Sequence, residues 1–155
     1  MDKEGRAAVA SMPAEELKRF LETALTEEQT KLLLQVNVPL SIFSTAVCPL
    51  EALAKYLVDD RGMPLSRAAS LLQRAPATLS VALKNGRKKL PLKLPAESAY
   101  FLPAEAFADQ KLSILELVAI HLRAAGLSFA DIGRFLHRDE RTIWTACDRG
   151  RRKHA

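Results

Sequence analysis

The sequence predicts an all-α protein: a helical arm followed by two small three-helix units of one design. Three observations predict it. First, GMPLSRAASLLQRAPATLS (Gly62–Ser80) returns sixty-four positions later, without a gap, as GLSFADIGRFLHRDERTIW (Gly126–Trp144). That period is too long for a solenoid unit and suits a small domain used twice. Second, apolar residues recur at helical spacing through the arm and both copies. Third, 48% of the chain is apolar but only 6% aromatic, which is enough to pack small helical cores.

The elements follow in order. Residues 1–10 carry no pattern and are expected to fray. From Pro13, Leu17, Phe20, Leu21, Ala24 and Leu25 recur as one apolar face of a helix. Thr26 with Gln29 resembles a capping box that starts a second short helix, which Asn37 and Pro39 stop. Residues 1–37 form this arm. It packs on the first repeat or pairs with another copy of the chain.

The first repeat spans 38–90 and the second 102–155. VPLSIF (Val38–Phe43) has a loose echo in LPAEAF (Leu102–Phe107). A helix from Pro49 to about Asp59 turns Leu50, Leu53, Ala54 and Leu57 inward. Its counterpart, from Ser113 to about Ala124, does the same with Leu115, Val118, Ala119 and Leu122. A one-residue slip between them is assigned to the loops. After the paired stretches, KNGRKK (Lys84–Lys89) matches DRGRRK (Asp148–Lys153). Residues 91–101 form a proline-rich, semi-rigid connector that gives the two units a preferred orientation. Tyr100 and Phe101 can pack against either copy.

Charge is unevenly placed. The net charge is +5, yet residues 1–31 hold seven acidic and five basic side chains, so the repeats carry the whole excess. A basic body beside an acidic arm favours an anionic partner, most simply nucleic acid. Cys48 and Cys147 make neither a disulfide framework nor a metal pair, and Cys147 aligns with Leu83 as a small buried hydrophobe. No metal or cofactor site is expected, and no catalytic set: there is no phosphate loop and no spaced His/Cys/carboxylate group. Without an apolar run of membrane length or a signal-peptide core, a soluble cytoplasmic protein is expected.

The second copy shows what the plan is for. Gly126 ends one helix, Ser128 caps the next with Asp131 three residues on, and Phe129, Ile132, Phe135 and Leu136 face inward. Gly133 lets two helices approach. His137 and Arg138 form a turn, Asp139 caps the last helix, and Ile143 and Ala146 anchor it. This is the spacing of a helix-turn-helix, whose last helix reads base edges from its N-terminal end. Glu140, Arg141, Trp144, Thr145 and Asp148 then point outward. Arg141 suits a bidentate guanine contact, and Thr145 a thymine methyl or a phosphate. Arg138, Arg149, Arg151, Arg152 and Lys153 flank them as phosphate contacts. Glu140 accepts from a cytosine amino group or, more simply, favours the helix N-terminus. Trp144 is expected to be core or half-buried, with an exposed contact as the alternative.

These residues resemble the promoter-reading region (region four) of bacterial sigma factors and the small regulators built on the same helix-turn-helix. The likeness runs through Leu127–Lys153: Leu127–Ser128, Ile132, Leu136, Thr142–Ile143 and the basic exit. Two such units in one chain also look like small tandem helix-turn-helix proteins of bacteria and archaea. The resemblance implies a helical bundle that binds double-stranded DNA in transcription control, with RNA polymerase as a further partner. The sequence departs at His137, where glycine is usual, and at Arg138, where an apolar residue is common. Other sigma regions are absent, so promoter opening is not implied.

The first copy reads less clearly. Pro64 and Ala75 stand where Ser128 and Asp139 cap, and Pro76 at the first helical turn partly compensates. Its outward residues, Ala77, Ser80, Val81 and Lys84, tell bases apart poorly. Arg74, Arg87, Lys88 and Lys89 still suit phosphates. Copy one is therefore expected to dock while copy two reads, against the plainer reading that both are helical scaffolding. An adaptor that contacts polymerase or another regulator is the competing function. A homodimer formed through the arm is the alternative to a monomer with two readers.

Overall fold

The computed structural model describes residues 11–24 and 35–154, which are mostly helical. The chain divides into two units, residues 1–36 and 37–155. In the first, the Pro13 carbonyl accepts the Leu17 N–H at 2.9 Å and opens α1 (Ala14–Ala24). Glu15 and Glu16 occupy its first turn, where the helix dipole favours acid. The expected fraying of 1–10 and the helix from Thr26 fall outside the described residues, apart from Gln35 and Val36, which are not helical.

The second unit runs β1 (Asn37–Pro39), a 3₁₀ turn (Leu40–Ser44), α2 (Pro49–Lys55), a wide π turn (Tyr56–Asp60), α3 (Leu65–Leu71) and α4 (Pro76–Lys89). The order then repeats as β2 (Phe101–Pro103), a 3₁₀ turn (Ala104–Ala108), α5 (Ile114–Ala124), α6 (Phe129–Leu136) and α7 (Glu140–His154). Of the residues expected to face inward, Leu53, Ala54, Leu57, Val118, Ala119, Leu122, Ile132, Leu136 and Ile143 are fully buried, whereas Leu50, Leu115, Phe129 and Phe135 are half-buried.

The slip between the copies is not confined to loops. Copy two holds its extra residue in the loop before α5, but copy one holds its own inside a helix. There the Arg61 N–H reaches five residues back to the Tyr56 carbonyl (2.9 Å). A single inserted residue in a helix takes this wide-turn form, so the helix expected to run from Pro49 to Asp59 is regular only to Lys55.

The strands, absent from an all-α expectation, relate the repeats to each other. They pair antiparallel with Val38 opposite Leu102, Asn37 opposite Pro103 and Pro39 opposite Phe101. Val38 and Leu102 are counterparts in the repeat, so the pairing is symmetric about them. Phe43 and Phe107 are counterparts too, and their ring centroids lie 5.7 Å apart. Packing is reciprocal: α6 lies on the first 3₁₀ turn, α3 on the second, and α2 meets α5. The copies thus share one core about an approximate two-fold axis. The segment between them is held as well. Leu94 is buried, Ser41 Oγ donates to the Pro95 carbonyl at 2.7 Å, and Lys55 Nζ donates to the Leu92 carbonyl. Tyr100 sets its ring edge-on to Phe135 in copy two, at 5.6 Å. No helix among the described residues is long and apolar enough to cross a membrane.

Gly133 is where α6 comes closest to the turn that follows it. A Cβ there would stand 2.7 Å from the Arg138 carbonyl oxygen, which is backbone and cannot swing aside. Copy one has Ala69 at this position, and its turn is slightly looser. Arg74 N–H to Ala69 O is 3.0 Å, against 2.8 Å for Arg138 N–H to Gly133 O. Alanine ordinarily favours a helix by about 1 kcal/mol over glycine. Gly133→Ala is nevertheless expected to destabilise the second unit by roughly 1–3 kcal/mol through overpacking. Urea unfolding followed through Trp144 fluorescence checks it, and a gain in stability would contradict it.

Candidate nucleic-acid interface

Caps and a left-handed turn fix the direction of α7. Ser128 Oγ accepts the Asp131 N–H at 3.1 Å and donates to the Asp131 carboxylate at 2.8 Å. The Ser128 bond, then Arg134, holds that carboxyl below its usual range. His137 closes α6 with φ +52°, and its counterpart Gln73 has φ +50°. Both repeats therefore make the same left-handed turn, and neither uses glycine for it. Asp139 Oδ1 then accepts the Arg141 N–H at 2.8 Å, satisfying an orphan donor at the start of α7.

Behind α7, Ile143, Ala146, Cys147 and Gly150 are buried. Burial pushes the Cys147 thiol up, as suits a packed hydrophobe. The opposite stripe, at steps of four, three and four residues, is Arg141, Thr145, Asp148 and Arg152. Arg141 and Arg152 are exposed, and Thr145 and Asp148 half-buried. Thr145 Oγ1 donates to the Arg141 carbonyl at 2.8 Å, which leaves its oxygen as an acceptor. Glu140, Arg149 and Arg151 flank the stripe and are exposed. Trp144 is 53% exposed, neither core nor half-buried as its size suggested. Two shallow grooves border α7, of about 340 Å³ beside Ser113 and Leu115 and about 730 Å³ beside Phe129 and Trp144; Arg141 and Thr145 line both.

Of the two acids on this surface, Asp148 is neutralised in place, while Glu140 carries no ion pair among the described residues. Asp148 pairs with Arg152 at 3.0 Å, one helical turn on. Lys153 is also engaged, since its Nζ lies 2.8 Å from the carboxylate of the buried Glu116. Burial opposes ionisation of Glu116, but Lys153 and the Ser113 N–H outweigh it and hold the carboxyl below its ordinary value. Lys153 thus staples the end of α7 to the start of α5. Arg141, Arg149 and Arg151 carry no ion pair among the described residues.

Copy one repeats the frame with other contents. Lys89 pairs with buried Glu51 at 3.0 Å, the counterpart of Lys153 with Glu116, and Glu51 also accepts the Cys48 N–H at the start of α2. Arg87 pairs with Asp59, whose carboxyl it holds down. The outward stripe of α4 is Ala77, Val81, Lys84 and Lys88, with Ser80 beside it; all are exposed, and both lysines lack ion pairs among the described residues. Arg74 and Arg138, counterparts in the two turns, are half-buried, and the Nε of each is buried without a hydrogen-bond partner.

The structure therefore gathers Arg138, Glu140, Arg141, Trp144, Thr145, Asp148, Arg149, Arg151, Arg152 and Lys153 on or beside α7. Arg74, Ala77, Ser80, Lys84, Arg87, Lys88 and Lys89 lie on or beside α4. Sequence reasoning missed the paired staples, although Glu51 and Glu116 precede Lys89 and Lys153 by nearly equal intervals. Compared with protein-family models, with curated proteins and with solved structures, the chain gives no match.

Proposed function

We propose that this chain is a cytoplasmic, non-enzymatic regulator of transcription that binds double-stranded DNA through tandem helix-turn-helix units, with α7 as its reading helix. One observation carries the reading: α7 is braced along one side by Ile143 and Ala146 while Arg141 stands uncommitted near its N-terminal end. A helix of that kind enters the major groove with its first turns against base edges. The arginine fork matches guanine O6 and N7, and the Thr145 methyl suits thymine. Arg149 and Arg151 supply phosphate contacts, which give affinity without sequence information. The likeness of Leu127–Lys153 to the promoter-reading region of sigma factors points the same way.

The expected result is a mobility shift with duplex at low salt and a preferred site recovered from a random pool. Arg141→Ala should cost about 1–3 kcal/mol of discrimination at one base pair, roughly 5- to 150-fold, with little change on unrelated sequences. Equal loss on every sequence would make Arg141 a phosphate contact only. Exposed Trp144 favours a second reading, an adaptor that contacts RNA polymerase or another regulator, because a bare indole is a common anchor in protein interfaces. Polymerase captured without DNA, and lost with Trp144→Ala, would support that reading over the first.

A further inference from the structure

We propose that one chain binds duplex DNA across two adjacent half-sites, of which only the half under α7 carries sequence preference. The inference rests on the DNA-reading role proposed above and adds the form of the site. It begins with the two-fold relation. Val38 pairs with its counterpart Leu102, Phe43 packs against its counterpart Phe107, and α6 and α3 exchange places on the two 3₁₀ turns. A two-fold axis keeps equivalent elements at equal height along it. α4 and α7 are thus related to each other by the same kind of symmetry as the paired reading helices of a dimer on a palindrome. Here one chain supplies both, and a shared core fixes their orientation.

The helices are equivalent in place but not in chemistry. Position by position in the repeat, Arg141 of α7 corresponds to Ala77 of α4, Thr145 to Val81, Asp148 to Lys84 and Arg152 to Lys88. Alanine and valine have no hydrogen-bonding group for a base edge, so the first turns of α4, the part that meets base edges, lack the bidentate contact that Arg141 supplies in α7. What α4 offers is Lys84 and Lys88, exposed and free of ion pairs among the described residues. Ammonium groups on phosphates fix register and add affinity on any sequence. One half of the duplex is read and the other is gripped. Such a protein gives its site a direction, which a symmetric dimer on a palindrome does not.

The test is selection of bound duplex from a random pool, then footprinting and mass measurement of the complex at low salt. One chain per duplex is expected, protecting two stretches spaced by whole helical turns, about 10 base pairs or a multiple. Sequence information should lie in one stretch only. Lys84→Glu with Lys88→Glu should weaken binding about tenfold or more on every sequence alike and shorten the footprint to the informative half. Arg141→Ala should flatten the preference and leave the footprint long. Two chains on a palindromic site would overturn the inference and leave DNA reading intact. So would a single protected stretch indifferent to the lysine reversals. Absence of duplex binding at low salt would overturn the DNA-reading role itself.

Discussion

Phe107→Ala is expected to remove about 3–5 kcal/mol of stability, the usual cost of truncating a buried phenylalanine, and to remove it from both repeats at once. The ring is 1% exposed and lies against Phe43, equally buried, at the point where the copies meet. Were the copies separate domains on a tether, a cavity in one would leave the other intact. Here each copy seats its 3₁₀ turn on a helix of the other, and the strand pair joins them. A small domain holds about 5–15 kcal/mol in total, so the loss is a large share of what keeps the unit folded. Amide exchange in α2 and α4 reports copy one, and Trp144 fluorescence reports copy two. Matching losses by both probes are expected, and unchanged protection in α4 would show two independent cores.

Why the sequence showed the helices but not this junction follows from the kinds of signal involved. Helical faces repeat every three or four residues, and the copies display the same face twice, so Ile132, Leu136 and Ile143 identified their own burial. The strands are three residues long and hold prolines at Pro39 and Pro103, too short for alternation to register. The echo of VPLSIF in LPAEAF marked their place without revealing that the segments pair with each other. The π turn escaped notice because a one-residue insertion looks alike whether a loop or a helix absorbs it.

The outward stripe of α7 was legible for the same reason as the core, being its complement. The state of its charges was not. Arg141 and Lys153 are both cations on one basic helix, yet the first is uncommitted and the second is paired with buried Glu116. That difference depends on α5, whose approach to α7 is a tertiary fact. Trp144 shows the opposite failure. Size predicts burial on average, but its place on the helix, one step from Thr145, puts it at the open edge of a groove.

Sorting the cations in this way predicts how steeply DNA binding falls with salt. Five of those on α4 and α7, Lys84, Lys88, Arg141, Arg149 and Arg151, carry no ion pair among the described residues. Arg141 is assigned to a base edge, so if the other four meet phosphates the slope of log K against log salt is about −3.6, and affinity drops roughly 150-fold between 50 and 200 mM. If only Arg149 and Arg151 on α7 engage, the slope is near −1.8 and the drop is roughly 12-fold. Titration across that range therefore measures whether α4 takes part. Lys84→Gln with Lys88→Gln should move the slope from the steeper value toward the shallower. Lys153→Gln should change it little, because the phosphate would have to compete with Glu116, a carboxylate already desolvated and bonded to that ammonium through both oxygens at 3.0 and 2.8 Å. A slope that shifts as much for Lys153 as for Lys84 would mean the ion pair opens on DNA, and the division of these cations into structural and free would not hold.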